Sequence, residues 1–481
     1  VTAGAVATPH ALATQAGAAA LRAGGSAVDA ALAAAATVAV VYPHMNAIGG
    51  DVMALLHAPD GGVTVVNGSG AAAAAVDPDA LGDVMPARGV APITVPGAVR
   101  AWETLHGLGA RLPWGALFSD AIDCAREGVE VAPSLARALD GTEVALEVGG
   151  GRLRQPALAR TLSALADDGA DALYGGPVGA ALVGGLQALG SPLVLEDLAA
   201  HRSEVVAPLR GRYRGEELLT APPNSQGHVL LEVAAALELY DDPVDAAFLA
   251  RLFALAGADR DRWLADPRTG DVPIAWLLSG EHAVELLDGA RAALGPAAAR
   301  RAPARPTGDT IAVVAADAGG WAVSLIQSVF WAFGSGVVEP ATGILCHNRG
   351  ASFTLRPGSP NRLAGGRRPL HTLMPVLTRR DGRLTGVHGT MGGHAQPQIH
   401  LQLLARLLDG ASPQEAIAAP RFTVYGDLVE AESPAPPGLP VDVDLGPRSE
   451  AVGHAQLIRI SSDGAFAAAS DPRADGTALI V

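Results

Sequence analysis

Two long apolar runs open the chain. From about His10 to Ala23, Ala and Leu recur at helical spacing, and Gly24-Gly25 stop the run as a left-handed C-terminal cap does. Ser26 sits three residues before Asp29 in a capping signal, and Ala27 to Val41 is almost continuously apolar, which predicts a second helix buried on most faces. That stretch is about 15 residues long, against the roughly 20 that a bilayer-spanning helix needs. Gly49-Gly50 then turn the chain into two β-like segments, Val52 to His57 and Val63 to Asn67, and the Pro-Asp-Gly-Gly between them predicts a hairpin. From about Pro96 to Arg300 the pattern is mostly helical, until prolines and a glycine between Ala302 and Gly308 interrupt it. Beyond them, Ile311 to Ala315 and Trp321 to Ile326 flank Ala318-Gly319-Gly320 as a second hairpin. Further strands are expected at Leu373 to Thr378, Leu384 to His388 and Gln456 to Ile460, with a helix near Gln398 to Leu408. The pattern is therefore α/β, with helices covering sheets whose strands pair largely through hairpins.

Composition narrows the chemistry. The 481 residues are 49% hydrophobic and 17% charged, which suits a compact globular protein and leaves little room for disorder. All 34 basic residues are Arg, so neither a Schiff-base lysine nor a phosphate-loop lysine exists. A net charge of -15 argues against nucleic acid or an anionic membrane as partner. Cys124 and Cys346 lie far apart without ligand spacing, and His388, His394 and His400 match no metal pattern, so neither a disulfide framework, a metal nor a cofactor is expected. The chain begins at Val1 without Met, so a signal peptide is not assessable, and a cytoplasmic location is expected over a periplasmic one.

The segment Gly308-Asp309-Thr310-Ile311-Ala312-Val313-Val314 delivers a threonine to the first position of a strand. Read alone, that is ordinary, because Thr favours strands. Around it stand Ala16 to Ala31 with its Gly-Gly-Ser-Ala-Val-Asp core, Tyr42-Pro43-His44 before Gly49-Gly50, and Val95-Pro96-Gly97-Ala98. Further on come Ala221-Pro222-Pro223-Asn224-Ser225-Gln226-Gly227, Phe333-Gly334-Ser335-Gly336, Thr342-Gly343-Ile344-Leu345, Pro369 to Pro375, Gly392-Gly393 and Ala419-Pro420-Arg421-Phe422. In this order and over almost the whole length, the chain resembles the γ-glutamyltransferase family of N-terminal nucleophile (Ntn) hydrolases.

The resemblance implies an αββα sandwich cut from one precursor into a large subunit, 1–309, and a small subunit, 310–481, which together form one layered domain. It implies cleavage between Asp309 and Thr310, with Thr310 becoming the nucleophile and its own α-amine the base, since an α-amine with a pKa of roughly 7.7 to 8 titrates near working pH. It further implies that the backbone N–H groups of Gly392 and Gly393 hold the oxyanion and that Ser328 orients Thr310. A homodimer of such heterodimers is compatible with this picture.

The substrate positions depart from the family pattern. Where the family places an Arg for the α-carboxylate of a γ-glutamyl group, the matching residue is Ser69. The Asn, Gln and Asp that hold its α-amine correspond to Phe330, Arg349 and Ser352, and two carboxylate-binding serines correspond to His371 and Thr372. Losing an acid and gaining Arg349 disfavours an α-ammonium. The site pattern is nearest to oxamate amidohydrolase-like members, and the expected substrate is a small amide with a carboxylate and no amine, clamped by Arg349. His371 is expected to add a donor or a pH-dependent charge. Arg349 paired to an acidic neighbour is the alternative at that position. γ-Glutamyl transfer or glutathione hydrolysis, a β-lactam acylase and an unprocessed non-catalytic homologue are the competing functions.

Overall fold

Why the two early runs become helices is visible at their ends. The computed structural model describes residues 2–292 and 309–481, so the expected break at Ala302 to Gly308 lies outside the described residues. Helix α1 (Ala11–Arg22) begins where the His10 side chain accepts the Leu12 N–H, and it stops before Gly24 at φ 91°. Helix α2 (Ala27–Val41) carries the expected capping box between Ser26 and Asp29, and each of its residues is buried.

Thirteen strands build two large sheets: β1 (Gly4–Thr8), β2 (Asp51–His57), β3 (Val63–Asn67), β4 (Glu204–Val206), β5 (Leu209–Tyr213), β6 (Glu216–Thr220), β7 (Asp309–Asp317), β8 (Ala322–Phe330), β9 (Val376–Arg380), β10 (Arg383–Thr390), β11 (Ala455–Ile460), β12 (Phe466–Ser470) and β13 (Thr477–Ile480). The first sheet has the order β13-β1-β7-β8-β2-β3-β4, and the second β12-β11-β10-β9-β6-β5. All the pairs within these two sheets are antiparallel.

Period-two alternation explains the layering. On β7, Ile311, Val313 and Ala315 face the cluster that contains α2, whereas Ala312, Val314 and Ala316 join Leu377, Val387 and Ile458 between the sheets. Helices α1 and α2 cover the outer face of the first sheet. Helices α3 (Gly227–Glu238), α4 (Ala246–Trp263), α5 (Gly280–Ala292) and α6 (Gln396–Leu408) gather on the outer side of the second. The result is the four-layered αββα sandwich.

Both expected hairpins form, as β2–β3 and β7–β8. The strands expected in the C-terminal region and the helix near Gln398 also form, with their ends moved by a few residues. Two features differ from expectation. The chain's first strand, β1, inserts between β13 and β7, so a hairpin meander does not describe that edge. Residues 204–220, within the stretch read as mostly helical, instead form β4, β5 and β6. On the edge strand β5, exposed Arg210 and Arg212 alternate with Leu209, Gly211 and Tyr213, a run with too few apolar residues to stand out from the helical stretch around it.

The two sheets pack tightly at Gly389. A Cβ added at Gly389 would lie 2.7 Å from Ala312 Cβ and 3.1 Å from Ile326 Cδ1. Gly389→Val is therefore expected to destabilise the fold by about 1–3 kcal/mol through overpacking, read as a lower denaturation midpoint.

Candidate active site

Thr310 is buried near the start of β7, and its pairing with β8 is irregular there. Asp309 pairs with Phe330 and Ile311 with Gln327, so Ser328 and Val329 together oppose the single residue Thr310. This is a β-bulge on β8, a device that re-aims side chains. Phe330 at its end has φ 80°, an uncommon conformation for an aromatic residue.

The Ser328 hydroxyl occupies the centre of the bulge. It accepts from Thr310 Oγ1 at 3.0 Å and from the Phe330 N–H at 2.7 Å, and it donates to the Asp309 carbonyl at 2.6 Å. Both lone pairs and the single proton are thereby used. Ser328 touches the threonine hydroxyl and the carbonyl in front of it at once, which is more than the orienting role expected from sequence.

Phe330 leads to the charged part of the site. The Arg349 guanidinium lies 3.7 Å from the centre of its ring. Arg349 is buried, its Nη2 donates to Thr372 Oγ1 at 3.2 Å, and its Nη1 has no hydrogen-bond partner. No carboxylate lies within ion-pair distance of it among the described residues, so the alternative of an acidic neighbour in direct contact is not what the structure shows. Burial lowers its pKa to about 9, partly opposed by Asp51, which still leaves it charged near neutrality.

Asp51, on β2 opposite Ser328, balances this charge from a distance. Its Oδ2 lies 3.2 Å from His371 Nε2 and 3.4 Å from His347 Nδ1, and its Oδ1 accepts the Gly70 N–H. Burial would raise its pKa, but His347 and His371 outweigh burial and hold it below the usual carboxylate range.

His371 corrects an expectation. Burial, and next Arg349, lower its pKa to about 4, so it is neutral near neutrality. Its Nε2 faces Asp51 and its Nδ1 accepts the Leu373 N–H, leaving no free donor for a ligand. Ser69 and Ser352 are likewise engaged. The Ser69 hydroxyl bridges Asn67 Oδ1 at 2.7 Å and Asn224, while that of Ser352 faces the carbonyls of Arg349 and Leu370.

Gly392 and Gly393 join the same region through Gln226. One Gln226 amide nitrogen donates to Gly393 O at 2.8 Å and to Thr372 O at 2.9 Å, tying the glycine pair to the threonine that receives Arg349. Gly392 has φ 140° and Gly393 φ 54°, values at which side chains are strained. A Cβ on Gly392 would also lie 2.6 Å from Ile399 Cδ1.

A cavity of about 430 Å³ opens beside these groups, lined by Phe330, Trp331, Ser352, Leu370, His394 and Asp261 among others. Burial, then Arg260 and Arg349, hold His394 well below its ordinary pKa, so a neutral imidazole faces the cavity. Sequence reasoning missed Asp51, His347, Gln226 and His394 as parts of the site. Gln226 stood within a quoted motif and His394 directly follows Gly393, whereas nothing local marked Asp51 or His347.

Known proteins resemble this chain over nearly its whole length. The family described as Gamma-glutamyltranspeptidase matches residues 13–481. An oxamate amidohydrolase proenzyme of Klebsiella pneumoniae is 38% identical, over 98% of this chain and 97% of its own length. A glutathione hydrolase-like proenzyme of Bacillus subtilis is 35% identical over 98% of each. A cephalosporin acylase structure from Bacillus halodurans superposes with a TM-score of 0.87 at 33% identity, covering 99% of this chain and 96% of that one. With its αββα layers and a match over nearly its whole length, the chain belongs to the gamma-glutamyltranspeptidase family of Ntn hydrolases.

Proposed function

We propose that Thr310 is freed by self-cleavage of the Asp309–Thr310 bond and then hydrolyses the amide of a small, carboxylate-bearing, oxamate-like substrate. Arg349 carries this reading: a buried guanidinium with an unpartnered nitrogen and, among the described residues, no carboxylate in contact is prepared for an anionic ligand.

The uncleaved chain already holds the parts for the cut. The Thr310 hydroxyl gives its proton toward Ser328 while its oxygen attacks the Asp309 carbonyl carbon. The Ser328 hydroxyl, donating to that carbonyl oxygen, stabilises the charge that develops there. The proton given up by Thr310 is passed on to the nitrogen, which leaves as the new α-amine; the acyl group rests on Oγ1 as an ester, and water releases it, giving fragments 1–309 and 310–481.

In the mature enzyme the α-amine takes the Thr310 proton as Oγ1 attacks the substrate amide carbon. The N–H groups of Gly392 and Gly393 receive the oxyanion, the protonated amine returns the proton to the leaving nitrogen, and ammonia departs. Water then hydrolyses the acyl ester. Arg349 holds the carboxylate, and because no acid among the described residues contacts it, an α-ammonium beside the clamp is repelled, so glutathione is a poor substrate. The large and small subunits remain one unit, and no nucleic acid or membrane takes part.

A second reading has one observation in its favour. The cavity of about 430 Å³ beside the site, walled by Phe330 and Trp331, exceeds what oxamate fills and suits an acylase taking a longer acyl chain, with Phe330 leading from it to Arg349.

Three outcomes are expected. Thr310→Ala stays one uncut band on a denaturing gel, and Ser328→Ala is cut at least about tenfold more slowly, as loss of an oxyanion donor requires; two fragments from Thr310→Ala would refute the site of cleavage. Arg349→Gln lowers kcat/KM for ammonia release from oxamate by about 100- to 1,000-fold, mostly through KM, whereas faster turnover of a γ-glutamyl anilide than of oxamate would overturn the substrate class. Activity rises with pH on a limb with an apparent pKa of about 7–8, because the α-amine acts as base only when deprotonated; a pH profile of kcat/KM checks this.

A further inference from the structure

Away from the nucleophile, three helices of the outer layer bring together groups that the proposed reaction does not use. Glu232 on α3, Asp259 on α4 and His282 on α5 present ligand atoms that all lie within 4.8 Å of one another. His282 Nε2 is 3.1 Å from Asp259 Oδ2 and 3.7 Å from Glu232 Oε2. Ligands on a tetrahedral zinc with bonds of roughly 2.0–2.1 Å are separated by about 3.3–3.4 Å, and the two distances bracket that value.

The surroundings are those of a metal site. The Glu232 side chain is fully buried, and its Oε2 has no hydrogen-bond partner, while Oε1 is engaged by His228 Nδ1 at 2.5 Å. Behind His282, Nδ1 lies 3.1 Å from Glu285 Oε2. A carboxylate there fixes the tautomer that aims the Nε2 lone pair at a cation, the usual support behind a zinc-binding imidazole. Asp259 is partly exposed, which leaves a route in and room for a water as fourth ligand. No arginine pairs with Glu232 or Asp259 among the described residues, so the cluster gathers three carboxylates, Glu285 included, around His282, with His228 against the far oxygen of Glu232.

We propose that Glu232, Asp259 and His282 form a zinc-type divalent-cation site that pins α3, α4 and α5 together. No sequence spacing marks it, because each ligand comes from a different helix. The competing account is a protonated His282 that bridges the carboxylates with no metal.

The test uses the untagged full-length protein, stripped with a chelator, dialysed and titrated with zinc chloride by calorimetry. Cobalt(II) is added in parallel to read the absorption of a tetrahedral site. One zinc per chain is expected, with affinity reduced at least about tenfold in His282→Ala and in the near-isosteric Asp259→Asn, and about 10- to 100-fold in Glu285→Gln. Asp288→Asn, an exposed change on the same helix, should bind as the parent does. Absence of stoichiometric binding by the parent, or equal binding by the folded Asp259→Asn and His282→Ala variants, would overturn the site in favour of the protonated histidine. Neither result bears on the proposed hydrolysis.

Discussion

Everything at the candidate site follows from the register break between β7 and β8. One surplus residue on β8 leaves the Ser328 hydroxyl between Thr310 and the carbonyl of Asp309 and turns Phe330, at positive φ, to face Asp309 across the strands. The same turn sets the Phe330 ring under Arg349. Regular pairing continued from Ile311 and Gln327 would still set Ser328 opposite Thr310 but would put Val329, not Phe330, opposite Asp309, and the ring would lose its position. A local irregularity of backbone thus aligns hydroxyl, carbonyl and guanidinium. The strain at Phe330 is tolerated because flanking strands are paired on both sides.

The second constraint is electrostatic. Arg349 and Asp51 have opposite charge and are both buried, yet they do not form an ion pair; His371 stands against Asp51, and Thr372 against Arg349. A direct pair would neutralise both and leave the guanidinium without appetite for a ligand. Inserting a neutral imidazole keeps the carboxylate satisfied and one guanidinium nitrogen open. The arrangement holds the site ready before a substrate arrives, and the cost of burying a charge is offset when an anion docks.

Features with a local cause were legible in the sequence. Helices α1 and α2 declare themselves through Gly24-Gly25 and the Ser26–Asp29 box, and the hairpins through their glycine turns. Thr310, Ser328 and the glycine pair came through ordered motifs, and the structure places the first two in contact. Features with a non-local cause were hidden. Strand β1 is five residues of small side chains whose partners lie some 300 and some 470 positions away, and β5 carries alternating arginines at an edge. Asp51 looked like any strand-opening acid, and nothing but folding brings it to His347 and His371. The serines at 69 and 352 had the right type for ligand contact, but nearby amides and carbonyls claim their hydroxyls.

The strand order of the first sheet has a further consequence for a chain divided before Thr310. Strand β1, from the leading portion, lies between β13 and β7 of the trailing one, and β8 of the trailing portion lies against β2 of the leading one. In the second sheet the two portions meet once, where β9 borders β6. Neither polypeptide possesses either of the two large sheets complete, so scission would convert one molecule into two mutually templating halves that could part only by unravelling. The severed product would behave in solution as a single particle, and reconstitution from separately made halves would demand that each supply the missing teeth of the other's zipper.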